Sequence, residues 1–96
     1  MRPKQTNRTL AAFGQAVKAY RIAAGMTQEQ LAGEVGLHPG YVGTVERGEK
    51  NISLLNIVAI CHALDVMPSE LMTVLDVVVS RSIVAHRPRV TKRSQT

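Results

Sequence analysis

The chain has 96 residues, 45% of them hydrophobic and 3% aromatic, with a single cysteine. This length corresponds to one small domain with tails, and the composition favours an all-helical core over a β-sandwich or barrel, which needs more aromatic and β-branched residues. The lone Cys61 excludes an internal disulfide framework, and without clustered His and Cys residues we expect no bound metal and no cofactor.

Positive charge is concentrated at the two ends of the chain. The formal net charge is +5, yet the segment between Glu29 and Asp76 holds every acidic residue and only two bases, Arg47 and Lys50. Both ends therefore suit a polyanion, and the alternative is that they are simply solvated. No secretory signal is present, and no apolar run reaches the roughly 18 residues of a membrane span. We expect a cytoplasmic protein that does not contact membranes.

The amino-terminal third predicts a short arm and one helix. Residues 1–8 lack periodicity and are expected to form a flexible basic arm. Apolar residues then recur at helical spacing at Leu10, Phe13 and Val17, which predicts helix 1. Gly25 follows as its stop, because helices often end on a glycine in the left-handed conformation.

The next segment predicts two short helices joined by a tight turn. Thr27 and Gln30 form a capping box, which places the start of helix 2 after Thr27. Gly36 ends this helix, since a sharp turn between helices needs a positive φ. His38 and Pro39 occupy the N-cap and first positions of helix 3, where the missing N–H of proline has no effect. We expect helix 3 to run to about residue 47.

The carboxy-terminal half predicts two more helices and a tail. Ser53 caps helix 4, and Pro68 opens helix 5. The β-branched run at residues 77–79 disfavours a helix, so the sequence does not fix where helix 5 ends near residue 79. Residues 80–96 are polar and basic and are expected to form a flexible tail. The resulting fold is all-α, a compact five-helix bundle over residues 9–79.

Residues 10–72 resemble the Cro/repressor (XRE) helix-turn-helix family. The matching segments are FGQAVKAYRIAAGMTQEQLA, the turn VGL, VERG, and NISLLNIVAICHALDVMPSELM. Within the family, ERGEKNISLLNI followed by ALDVMPSEL is most similar to the controller proteins of restriction-modification systems. The resemblance implies that helices 2 and 3 form a DNA-binding helix-turn-helix, with helix 3 in the major groove.

Candidate DNA contacts lie at the start of helix 2, on helix 3 and in the loop after it. Family members use a glutamine at the position of Gln28 to bind a phosphate, and an amide at a helix N-terminus suits an anion. Helix 3 departs from the family pattern, because Pro39 and Gly40 have no side-chain donor and leave few polar side chains to contact bases. Gly40 and Gly43 would let the backbone of helix 3 approach DNA closely, and sequence specificity would then come partly from DNA shape. The alternative is that these two glycines have no role in binding. The candidates are Gln28, His38, Pro39, Gly40, Tyr41, Gly43, Thr44, Arg47, Lys50 and Asn51.

Two further sets of residues are expected to have structural roles. The resemblance pairs Arg21 with Glu46, an ion pair that fixes helix 3 against helix 1. Helix 5 is expected to form a homodimer interface, and the alternative is that its apolar residues only close the monomer core. The interface candidates are Leu71, Met72, Leu75 and Val78.

The leading hypothesis is a sequence-specific DNA-binding transcriptional regulator. It would act as a homodimer on a two-fold symmetric operator, with regulation of its own gene as a further hypothesis. Its partners would be double-stranded DNA and a second copy of the chain, with no small-molecule ligand. The alternative is an antitoxin or protein-interaction module that uses the same fold. An enzyme is not expected, because no nucleophile–base pair is evident.

Overall fold

A computed structural model describes the backbone of residues 4–86 and the side chains of residues 8–80. Every element in this part of the chain is a helix, which confirms the predicted all-α class. None of these helices is long and apolar enough to cross a membrane. The helices are α1 (Lys4–Ala23), α2 (Gln28–Val35), α3 (Pro39–Glu46), α4 (Leu54–Leu64), α5 (Pro68–Met72) and α6 (Leu75–His86).

Local capping sets the bounds of α2 as predicted. The Thr27 hydroxyl accepts a hydrogen bond from the Gln30 backbone N–H at 3.0 Å, and the Gln30 side chain accepts one from the Thr27 N–H at 2.8 Å. This reciprocal pair satisfies N–H groups that the first turn of a helix leaves unpaired. Gly36 ends α2 with a φ of 71°, in the left-handed region that glycine adopts without strain.

The core is mainly aliphatic, with Phe13 as its buried aromatic residue, and lies beneath the helix-turn-helix. Helix α3 packs against both α1 and α2, and α4 packs beneath α2. Burial of these side chains is the main favourable contribution to folding of a domain this small. The largest side chains with almost no exposed surface are Val17, Leu31, Val42, Val45, Ile60 and Leu71.

Glycine brings the backbones of α1 and α3 into direct contact. A Cβ atom on Gly14 would lie 2.2 Å from the Val45 carbonyl oxygen and 2.7 Å from that of Glu46. Just beyond α3, Gly48 has a φ of +75°, and a Cβ there would lie 2.7 Å from the Ala11 Cα. Only glycine permits this approach, so α1 determines where the end of α3 lies.

Helix bounds at the two ends differ from the prediction. Helix α1 begins at Lys4, so residues 4–8 are helical and not an arm. No glycine or proline interrupts this stretch, and its Lys, Gln and Arg residues favour a helix without an apolar pattern.

Predicted helix 5 is two helices, α5 and α6. The break falls at Thr73 and Val74, two β-branched residues, and Asp76 then lies in the first turn of α6, where a carboxylate is favourable. Helix α6 continues to His86, so the first residues of the predicted tail are helical. Residues 1–3 and 87–96 of the predicted arm and tail lie outside the described part of the chain.

Candidate nucleic-acid interface

Helix α3 presents its first turn on the surface. His38, Pro39 and Gly40 are exposed, whereas Tyr41 and Thr44 are half-buried. The His38 Nδ1 accepts a hydrogen bond from the Gly40 N–H at 3.0 Å, so this imidazole caps the helix and has only Nε2 free to donate. The exposed residues 38–40 therefore form the first turn of the helix that the sequence predicts to be the recognition helix.

A hydrogen-bonded network joins α1, α2 and α3 behind that surface. Arg21 Nε donates to Glu46 Oε2 at 2.6 Å, and Arg21 Nη2 donates to Glu46 Oε1 at 3.1 Å. Arg21 Nη1 donates to the Met26 carbonyl at 2.8 Å. Hydrogen bonding to Glu46 raises the pKa of Arg21 above its ordinary value. Gln28 Nε2 donates to the same Glu46 Oε1 at 2.9 Å. The pair predicted for Arg21 and Glu46 is thus formed, and it also orients Gln28.

Gly43 lies between α2 and α3 and not on the candidate surface. It is buried, and a Cβ atom there would meet Arg47 Nη1 at 3.2 Å and Gln28 Oε1 at 3.4 Å. The side chains of Arg47 and Gln28 lie between Gly43 and solvent. The prediction that Gly43 itself contacts DNA is therefore wrong. Its small size leaves space for Arg47, which also pairs with Glu49 at 3.2 Å.

Tyr41 connects α3 to α4 through a residue that sequence patterns did not single out. Asn56 Nδ2 donates to the Tyr41 hydroxyl at 3.2 Å, and the Lys50 Nζ lies 5.6 Å from the centroid of the Tyr41 ring. The Thr44 hydroxyl donates to the Tyr41 carbonyl at 2.7 Å. The signal for Asn56 was a single polar residue inside the apolar segment LLNIVAI of α4.

The loop between α3 and α4 carries the remaining candidates. Arg47, Lys50 and Asn51 are all exposed there. Gln28 at the start of α2 lies beside the same end of α3, because its amide binds Glu46 and, like Arg47, approaches Gly43. Phosphate contacts flanking a recognition helix fix its position on a duplex.

The predicted dimer residues divide into two groups. Leu71 has no exposed surface and lies in the core of a single chain, so it cannot contact a partner, and this part of the prediction is wrong. Met72, Leu75 and Val78 are half-buried. A larger apolar surface lies on α4, where Leu54 and Leu55 are 72% and 82% exposed.

Cys61 lies on the buried side of α4. Only 2% of its surface is exposed, and burial raises the pKa of the thiol. A thiol that is buried and protonated is unreactive, so Cys61 is a core residue.

Comparisons with known proteins agree with this geometry. A helix-turn-helix family matches residues 17–71. Control protein C.BamHI of Bacillus amyloliquefaciens is 44% identical over 68 residues, which are 70% of this chain and 84% of that protein. The restriction-modification controller protein C.AhdI of Aeromonas hydrophila superposes with a TM-score of 0.63 and 50% identity over 65% of this chain and 94% of that one.

A second controller protein, C.Esp1396I, has been solved as a tetramer in complex with its natural 35-base-pair operator. It superposes with a TM-score of 0.65 and 25% identity over 74% of this chain and 95% of that one. The chain therefore belongs to the helix-turn-helix family of DNA-binding transcriptional regulators that includes the control proteins of restriction-modification systems, a family of regulators and not of enzymes.

Proposed function

We propose that the protein binds double-stranded DNA as a homodimer on a two-fold symmetric operator and regulates transcription there, including that of its own gene. The observation that carries the proposal is the exposed first turn of α3, held in place by the Arg21–Glu46–Gln28 network. The operator-bound tetramer of C.Esp1396I supports it, because two dimers side by side would form such an assembly. The protein would act in the cytoplasm, where its operator lies.

Phosphate contacts would provide most of the affinity. Glu46 holds one N–H of the Gln28 amide and leaves the other free to donate to a phosphate oxygen. Arg47, Lys50 and Asn51, in the loop that follows α3, would bind further phosphates of the DNA backbone. For about 6–10 phosphate contacts per dimer, affinity falls by about 10³–10⁵ between 50 and 200 mM salt.

Base contacts would be few. Pro39 and Gly40 occupy the first turn of α3 without a hydrogen-bonding side chain, which leaves His38, Tyr41 and Thr44 for direct contact. The exposed Gly40 lets the α3 backbone approach the duplex closely. Part of the specificity would then come from the energy of bending DNA at positions that the protein does not touch.

The dimer would use the apolar surface of α4 together with α6. Leu54, Leu55 and Val58 are exposed, and their helical spacing places them on one side of α4. Exposed leucines of this number on a small domain are typical of an association surface. Leu75 and Val78 would extend the surface along α6.

A selection from random DNA duplexes tests the proposed function. We expect the protein to enrich sequences with two inverted half-sites, because a two-fold symmetric dimer presents two identical α3 helices. A Lys50→Ala variant should enrich the same sequence with lower affinity, since a phosphate contact carries no sequence information. Absence of any enriched sequence would contradict the proposal.

A further inference from the structure

The Tyr41 hydroxyl has its hydrogen-bonding direction set by α4. Asn56, in the first turn of α4, donates from Nδ2 to the Tyr41 oxygen at 3.2 Å. A phenol hydroxyl carries one proton and accepts through its lone pairs, whereas the amide nitrogen of asparagine only donates. Since Asn56 supplies the proton of this hydrogen bond, the proton of Tyr41 is directed away from Asn56.

The rest of the Tyr41 side chain is held in place from other directions. The ring is half-buried and packs against the core, and the Lys50 Nζ lies 5.6 Å from its centroid. Thr44 fixes the local backbone through its 2.7 Å hydrogen bond to the Tyr41 carbonyl. The rotation of the hydroxyl about its C–O bond is thus the remaining freedom, and Asn56 restricts it.

We infer that Asn56 is a positioning residue for DNA recognition, which holds the Tyr41 hydroxyl as a donor towards the duplex. This inference rests on the proposed function. A donor at this place selects an acceptor atom on DNA, either a phosphate oxygen or a base acceptor such as N7 of a purine or O4 of thymine. It discriminates against the amino groups of cytosine and adenine. Asn56 does this without itself touching DNA.

A double-mutant cycle between Asn56→Asp and Tyr41→Phe tests the inference on the duplex obtained by selection. A carboxylate at residue 56 can only accept, so the Tyr41 proton turns towards it in a strong charge-assisted hydrogen bond. The hydroxyl then presents lone pairs to DNA. We expect Asn56→Asp to lower affinity about tenfold more in the protein with Tyr41 than in the Tyr41→Phe protein.

Asn51→Asp is the matched control, because it introduces the same charge into the neighbouring loop. It should lower affinity by the same factor in both backgrounds, since neither the loss of the Asn51 phosphate contact nor the repulsion of phosphates depends on the Tyr41 hydroxyl. Folding is checked by thermal unfolding. The cap of α4 survives the substitution, because Ser53 Oγ accepts from the Asn56 backbone N–H at 3.1 Å.

Equal losses for Asn56→Asp in the two backgrounds would overturn the inference and leave the proposed function intact. Failure of the unsubstituted protein to bind any duplex would overturn both. Methylphosphonate linkages, which remove a phosphate charge one position at a time, identify the acceptor. If either stereoisomer at one linkage abolishes the affinity difference between Tyr41 and Phe, the acceptor is a phosphate oxygen. If the difference survives both stereoisomers at every linkage, the acceptor is on a base edge.

Discussion

Glu46 accepts hydrogen bonds from two side chains with different surroundings. Arg21 reaches it from the buried side of α1, and Gln28 reaches it from the start of α2 beside the candidate phosphate contacts. The side chains of the ion pair are only 10% and 3% exposed, so solvent screens their attraction little. The Glu46 carboxylate therefore links the buried Arg21 to Gln28, which lies on the surface that would contact DNA.

Removing Glu46 alone should be strongly destabilising. We expect Glu46→Ala to lower the free energy of unfolding by about 3 kcal/mol, because a buried guanidinium is left without its partner. The double variant Arg21→Met, Glu46→Met should lose less than this single variant, since an apolar pair leaves no unpaired charge. Urea unfolding measures both values, and a double variant less stable than Glu46→Ala would contradict this account.

The role of a residue could be predicted from the sequence where its partners are near in the chain, and not where its partners lie on another helix. Thr27 and Gln30 lie within one helical turn of each other, so their capping box follows from spacing alone. Gly43 and Asn56 depend on how α2, α3 and α4 pack. Gly43 was expected to face DNA and is instead covered by the side chains of Gln28 and Arg47. Asn56 stands out in the sequence only as a polar residue in an apolar segment, and that pattern does not identify Tyr41 as its partner.

At the scale of elements, α1 and α3 meet through glycine. The Gly14 backbone lies against the Val45 and Glu46 carbonyls, at the same end of α3 where Glu46 binds Arg21. Backbone contact and ion pair together fix α3 in its orientation. A shift of α1 would therefore move the helix that is proposed to enter the major groove.

Alanine substitution at Gly14 and at Gly33 distinguishes the effect of the α1–α3 backbone contact on stability from the effect of helix propensity. Gly14→Ala should lower the free energy of unfolding by about 2 kcal/mol, because its Cβ has no space beside α3. Gly33 is the matched control in α2, where an added Cβ meets nothing within 4 Å. Gly33→Ala should raise stability by about 1 kcal/mol through helix propensity. Thermal unfolding measures both changes, and equal effects would refute the close approach.

Helix existence could be predicted better than helix bounds. The bounds of α2 and α3 and the start of α4 follow from caps and glycines that occur in the sequence itself, whereas α4 is capped at its end by Asp65, which has a φ of 58°. The start of α1 at Lys4 could not be predicted, because residues 4–8 carry no apolar pattern. The break at Thr73 and Val74 was also missed, since the apolar residues on its two sides continue one helical spacing.

At the scale of the whole molecule, the apolar surface determines how two copies would meet. Burial of Leu71 removes one of the four residues expected at the interface, because the contacts of α5 with α1 and α4 enclose it. Leu54 and Leu55 then become the most exposed large apolar side chains of the described residues. A sequence pattern marks both kinds of leucine as apolar and cannot tell which is covered by its own chain.

Leu55→Asp should abolish the dimer without unfolding the monomer, since a side chain that is 82% exposed contributes little to the core. Sedimentation velocity measures the change, and DNA affinity should fall with it. Ile22→Asp is the matched control, because Ile22 on α1 is 58% exposed and lies outside the proposed interface. A variant at Leu55 that remains dimeric would exclude this surface as the interface.

Hydroxyl-radical footprinting on the DNA upstream of the protein's own gene tests the central claim most directly. A homodimer with α3 in the major groove should protect two inverted half-sites whose centres lie about 10 base pairs, or one helical turn, apart. Protection should disappear at raised salt, because the backbone contacts release counterions. Uniform cleavage at low salt, or protection without two-fold symmetry, would contradict the account.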